Sequence, residues 1–167
     1  MLKRLFLAIC VGVIGSAAQS ECMRALTVTF VEGAPTDRFE IIHTVTGLTL
    51  TGLRIDLAPS AGELIFDTED GGAGVEVYQP FQGDATTRAA KVADGAEMID
   101  VELSRMQAGQ RAHFTIDVDD RMASSELGQI RVTGGELKGA TVAFSVDDGN
   151  AQLKAVFDAD NRAKVCA

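Results

Sequence analysis

Apolar and polar residues alternate with a period of two along most of the chain beyond residue 24. Leu26, Val28 and Phe30 fall on one side, with Thr27 and Thr29 opposite. After the break at Gly33–Ala34–Pro35 come Phe39, Ile41 and His43. Leu53, Ile55 and Leu57 alternate with Arg54 and Asp56, and Ile99, Val101 and Leu103 with Asp100, Glu102 and Ser104. Phe114, Ile116 and Val118 alternate with His113, Thr115, Asp117 and Asp119, and Ile130 and Val132 with Arg131 and Thr133. A two-residue period is that of a strand with one face buried, and the runs are bounded by Gly, Pro, Asp or Ser. Shorter runs at Leu64–Phe66 and Val75–Tyr78 add two more strands. The pattern predicts an all-β protein, a single antiparallel β-sandwich of immunoglobulin-like or jelly-roll-like type, with roughly eight to ten strands.

The clearest hairpin lies near the C-terminus. Ala140, Val142, Phe144 and Val146 share one face, as do Ala151, Leu153, Ala155 and Phe157. Asp147–Asp148–Gly149–Asn150 between them tolerates positive φ. A turn at Asp148–Gly149 sets Val146 against Ala151, and one at Gly149–Asn150 shifts the pairing by two. Both keep the same faces inward. Ala85–Gly95 is polar and alanine-rich and reads as a surface loop or short helix, and Arg121–Gly128 as a turn or single helical turn.

The first 20 residues read as an address. Lys3 and Arg4 precede an apolar run from Leu5 to Ile14, and Ala18 and Ser20 occupy −3 and −1 of a cleavage before Glu21. Gly15–Ser16–Ala17 offers another cleavage point. The apolar run is too short to span a bilayer, which needs about 20 residues. The expected organisation is a signal peptide at 1–20 and a β-sandwich domain at 21–167, secreted or periplasmic.

Losing the signal sharpens two features. The formal charge of −9 becomes −11, because Lys3 and Arg4 leave 13 basic residues against 24 acidic ones. That disfavours nucleic acid and anionic membranes as partners, since both are bound through Lys and Arg. It suits solubility or divalent cations. The three cysteines become two, Cys22 and Cys166, at the extremities. In an oxidising compartment an even pair reads as a disulfide. Free thiols and intermolecular pairing are the alternatives.

The motifs of hydrolytic chemistry are absent: there is no GxSxG, SxxK or HExxH. His43 and His113, the two histidines, fall in predicted strands, His113 on a polar face. "DGGAGVEV", Asp70 to Val77, lacks the third glycine of a phosphate-cradling loop, and its glycines are expected to supply positive φ in a tight connection. Acidic clusters remain. Calcium takes six to eight hard oxygens, which loops at one end of a sandwich can supply jointly. The candidates are Asp67, Asp70, Asp120, Asp147, Asp148, Asp158 and Asp160, none in the calcium-loop pattern. Asp117 and Asp119 are expected on the wet face of their strand, leaving Asp120 as that run's candidate. The simpler reading is that acidic turns keep strand ends solvated.

"LTVTFVEGAPTDRFEI" (Leu26–Ile41), "LIFDTEDGGAGVEVYQPF" (Leu64–Phe81), "FTIDVDDR" (Phe114–Arg121) and "GGELKGATV" (Gly134–Val142) resemble the aggregation factor core proteins of marine α-proteobacteria. These are small exported proteins labelled after sponge aggregation-factor components. The resemblance implies secreted or surface-associated adhesion with calcium dependence, and it assigns no site residues. The functional expectation is an exported, non-enzymatic binding or adhesion module with a protein or glycan surface as partner. The alternative is a carboxylate-dependent hydrolase or an accessory domain of an extracellular enzyme.

Overall fold

A computed structural model of the chain describes residues 22–33, 37–75, 79–122, 131–149 and 151–167. The expected signal peptide, most of the Val75–Tyr78 strand, the 123–130 segment and Asn150 lie outside the described residues.

Two five-stranded antiparallel sheets pack face to face as a β-sandwich. The strands are β1 (Ala25–Val31), β2 (Arg38–His43), β3 (Leu50–Asp56), β4 (Ile65–Asp67), β5 (Gln82–Gly83), β6 (Thr87–Lys91), β7 (Met98–Met106), β8 (Arg111–Thr115), β9 (Asp117–Asp119), β10 (Thr141–Val146), β11 (Ala151–Val156) and β12 (Arg162–Cys166). One sheet has the order β12-β1-β2-β8-β5 and the other β11-β10-β3-β7-β6, while β4 and β9 form a separate pair. The strands outnumber the sequence expectation because short pieces form only by pairing. β6 is the main case. Ala85–Gly95 carries no apolar period, yet Thr87–Lys91 pairs with β7 along the sheet edge. The expected loop or helix is therefore corrected to an edge strand. Asp84 anchors its start, accepting hydrogen bonds from Thr86 N, Thr87 N, Thr87 Oγ1 and His113 N.

Arg131 and Val132 are not in a strand, contrary to their alternation. They lead instead into the one-turn helix α1 (Gly134–Leu137), with Val132 buried. Glu136 explains the start of that helix, because its side chain accepts the Thr133 N–H in a capping box. The C-terminal hairpin takes the first of its two registers, with Val146 opposite Ala151 and Phe144 opposite Leu153.

The inward positions of both sheets form one core. Leu26, Val28, Phe39, Ile41, Ile55, Ile99, Phe114, Val142 and Phe144 are all buried. In a chain without tryptophan the aromatic centre is phenylalanine. Phe39 stacks on Phe114 at 5.0–5.1 Å from both it and Phe30, with Phe66 and Phe157 at 6.5 and 6.4 Å. His43 is a satisfied core residue: Nδ1 accepts the Val45 N–H and Nε2 lies 3.1 Å from Leu48 O.

Cys22 and Cys166 are joined, with Cα atoms 5.8 Å apart at a sequence separation of 144. β1 and β12 are neighbours, so the pairing of Ala25 with Cys166 already brings the two cysteines together. A covalent link across so long a loop stabilises the fold chiefly by restricting the unfolded chain.

Candidate functional site

The strand that begins at Arg111 breaks at Ile116. Its first part, β8, belongs to the sheet with β2, and its second part, β9, pairs with β4. Phe114, Ile116 and Val118 face the core, as their alternation requires. The opposite face is not wet. Asp117 is 7 % exposed and Asp119 1 %, which corrects the expectation that these carboxylates meet solvent. The cover is β4 and the chain that follows it. Asp67 sits directly opposite Asp117 in the ladder and is itself 3 % exposed.

Three carboxylates therefore converge. One oxygen from each of Asp67, Asp117 and Asp119 lies within 4.8 Å of the others. Two unit charges that close repel by about 3 kcal/mol at an effective dielectric constant near 20. None of the three pairs with a Lys, Arg or His among the described residues. Their hydrogen bonds do not make up the difference. Asp119 Oδ2 accepts the Val75 N–H at 2.7 Å, and Asp67 Oδ1 takes a long 3.4 Å contact from Glu69 N. Asp119 Oδ1 and Asp117 Oδ2 are buried with no hydrogen-bond partner.

Three further acids border the group, one of them Asp94, whose carboxyl shares a side-chain hydrogen bond with Asp67. Asp37, just before β2, is buried, and its Oδ1 accepts from Gly33 N at 3.2 Å. Asp120 is buried too; Oδ1 accepts from Met122 N and Oδ2 has no partner. The electrostatics follow from this crowding. Burial, reinforced by the charges of Asp119, Asp37 and Asp67, pushes the Asp117 carboxyl up to about 7. Burial raises Asp37 to about 7 and Asp119 to about 6, and it raises Asp67 as well.

The glycine-rich segment after β4 is the roof of this cluster. Gly71 has φ +68, as expected of a tight connection, but Gly72 and Gly74 are there for a different reason. A Cβ on Gly74 would overlap Asp119 Oδ2 and Asp67 Oδ2, and one on Gly72 would overlap Asp94 Oδ2. The backbone thus lies directly on the carboxylates. Asp94, from the turn before β7, holds the same segment by accepting Thr68 N at 2.9 Å and Ala73 N at 2.7 Å.

The other sequence candidates are scattered. Asp67 is in the cluster, Asp120 adjoins it, and Asp70 is exposed beside it. Asp147 accepts Thr49 N at the end of the second sheet where β3 begins and β7 ends, away from the Asp56–Met98 end that carries β4. The Asp148 side chain lies outside the described residues. Asp158 Oδ1 accepts Asp160 N and Arg162 N, which ties a turn, and Asp160 is exposed. Asp117, Asp119 and Asp37 are the residues that sequence reasoning passed over. For the first two the signal was legible as alternation, but nothing local shows that a second segment covers their face.

Chemically, ionised carboxylates are acceptors only, so three of them can hold a hard cation or share protons. The described cavities lie elsewhere: one by Glu40–Ile42 and Arg111–His113, the others over the outer face of the second sheet around Arg54, Asp100 and Gln152. No family model, curated protein or solved structure matches the chain.

Proposed function

We propose that the chain is an exported, non-enzymatic binding module that works in adhesion at the cell surface. The observation that carries the non-enzymatic part of this reading is where the carboxylates converge. Asp67, Asp117 and Asp119 meet beneath a roof of backbone, at 3 %, 7 % and 1 % exposure. A hydrolytic acid and base have to reach a substrate bond, within hydrogen-bond distance or through one water. Acids closed in this way suit a structural centre, which weighs against the carboxylate-dependent hydrolase. The exposed histidine, His113, pairs with Asp84 at 3.2 Å on the outer face of β8; the Thr87 hydroxyl reaches the other Asp84 oxygen and the His113 carbonyl, which ties it to the start of β6 rather than to the imidazole.

Export is supported by the Cys22–Cys166 disulfide, since such links persist in oxidising compartments. Among the described residues no helix is long and apolar enough to cross a membrane. The acidic surface argues against nucleic acid as partner and leaves protein or glycan surfaces. The test is fractionation and aggregation of cells with and without the gene. Enrichment in the envelope or medium, with aggregation lost on deletion and restored by added protein, is the expected result. A cytoplasmic protein, or aggregation indifferent to it, would overturn the reading.

A further inference from the structure

We propose that Asp67, Asp117 and Asp119 form a binding site for one hard divalent cation, calcium, closed over by the 68–75 segment. The inference is independent of adhesion: it concerns what neutralises the cluster, and it stands or falls whatever the module binds.

One observation beyond the clustering of acids points to a ligand, and the spacing within the cluster agrees with it. Asp117 Oδ2 and Asp119 Oδ1 are buried oxygens without a partner, on side chains more than nine-tenths buried. An unpaired buried acceptor is costly, and an unpaired buried charge more so. A cation held among the three carboxylates compensates the charge of both side chains. The spacing fits. Oxygens bound to one calcium at 2.3–2.6 Å can stand up to about 5 Å apart, and the three here lie within 4.8 Å of one another.

The surroundings select the ion. Carboxylate oxygens are hard donors, so they favour calcium, magnesium or manganese over softer metals. Magnesium keeps several of its waters, whereas this site is shut from solvent by Gly74 and Val75. Calcium tolerates irregular coordination, and the neighbouring Asp37 and Asp120 offer further carboxylate oxygens. Gly74 is then the residue that lets the roof come down, because any side chain would occupy the space of the ligating oxygens.

The experiment uses the disulfide-closed protein, stripped with chelator and then titrated with calcium chloride or magnesium chloride at constant ionic strength. Equilibrium dialysis should find one calcium per chain, and the unfolding midpoint should rise with calcium concentration, as for any ligand that binds only the native state. Asp117→Asn and Asp119→Asn should each weaken calcium binding about tenfold or more. Asp158→Asn, in a solvated turn, should leave it unchanged. Without metal the sign should reverse: Asp117→Asn should melt at or above the unsubstituted protein, because it removes a repelling buried charge. An Asp117 that served only as a hydrogen-bond acceptor would instead destabilise in both conditions when replaced, and that result overturns the proposal. So does absence of bound calcium at millimolar concentration, or binding as strong in both cluster variants as in the parent. Magnesium bound as tightly as calcium would overturn the choice of ion.

Discussion

Two acidic regions that look alike in sequence behave oppositely in the fold. "DADN" at Asp158–Asn161 and "DVDD" at Asp117–Asp120 each alternate acids with a small or apolar residue. Asp158 turns its carboxylate onto the N–H groups of Asp160 and Arg162 in an exposed turn. Asp117 and Asp119 point under a roof, face other carboxylates and keep oxygens with no donor. The first region spends its charge on local backbone. The second gathers carboxyls that no Lys, Arg or His among the described residues balances. What separates them is whether a second segment covers the acids, and that is a property of pairing between β4 and β9.

That comparison can be tested from its coarsest control downward. Replacing Cys22 and Cys166 by serine should lower stability by roughly 2–4 kcal/mol in chemical denaturation. The loss should be the same with calcium and with chelator, since the staple lies at the β1–β12 edge. A calcium-dependent loss would mean that the two features are coupled. Gly74→Ala should cost about 2–3 kcal/mol, because its Cβ enters the carboxylate oxygens. Gly149→Ala in the acidic hairpin turn has open space around it and only its φ of +82 against it, so it should cost about 1 kcal/mol. Equal losses in the two glycine variants would remove the distinction between roof and turn.

The pH dependence separates the regions by sign. Burial raises Asp117 and Asp37 to about 7 and Asp119 to about 6, from a usual 3.8. Groups raised on folding favour the native state below pH 3.8, and that contribution is lost as pH climbs to about 7. The chelated protein should therefore lose stability between about pH 4 and 7, and calcium should restore it at the upper end. Asp84 behaves in the opposite way. Burial raises it, but the N–H groups of His113, Thr87 and Thr86 outweigh that and hold it below the usual range. Its contribution is present above pH 3.8 and fades as pH falls through its depressed value. Midpoints against pH for Asp117→Asn and Asp84→Asn should change with opposite slopes. The smallest effect is at the turn itself: Asp158→Ala should cost about 1 kcal/mol in thermal or chemical unfolding, with no dependence on calcium.

Much of this was legible in the chain. Phe114, Ile116 and Val118 face the core as their alternation requires, Val146 and Ala151 pair in one of the two registers allowed, and Cys22 meets Cys166. Each depends on local period, turn chemistry or compartment. The failures share one cause. Thr87–Lys91 is a strand only because β7 lies beside it, and Arg131–Val132 alternates without forming one because Thr133–Glu136 caps a helix there.

The candidate site was half legible. "FTIDVDD" put Asp117 and Asp119 on one face, and the glycines of "DGGAGVEV" marked a close approach without saying to what. Alternation along a strand sorts side chains into two faces but carries no information about what lies against the second. That is decided when Asp67 pairs with Asp117, 50 positions along, and Gly74 lets the backbone settle on their oxygens. The sequence determined most of the strands, their inner faces and an acidic chain; the tertiary structure alone decided which acids lose their water, because desolvation depends on neighbours remote in the chain.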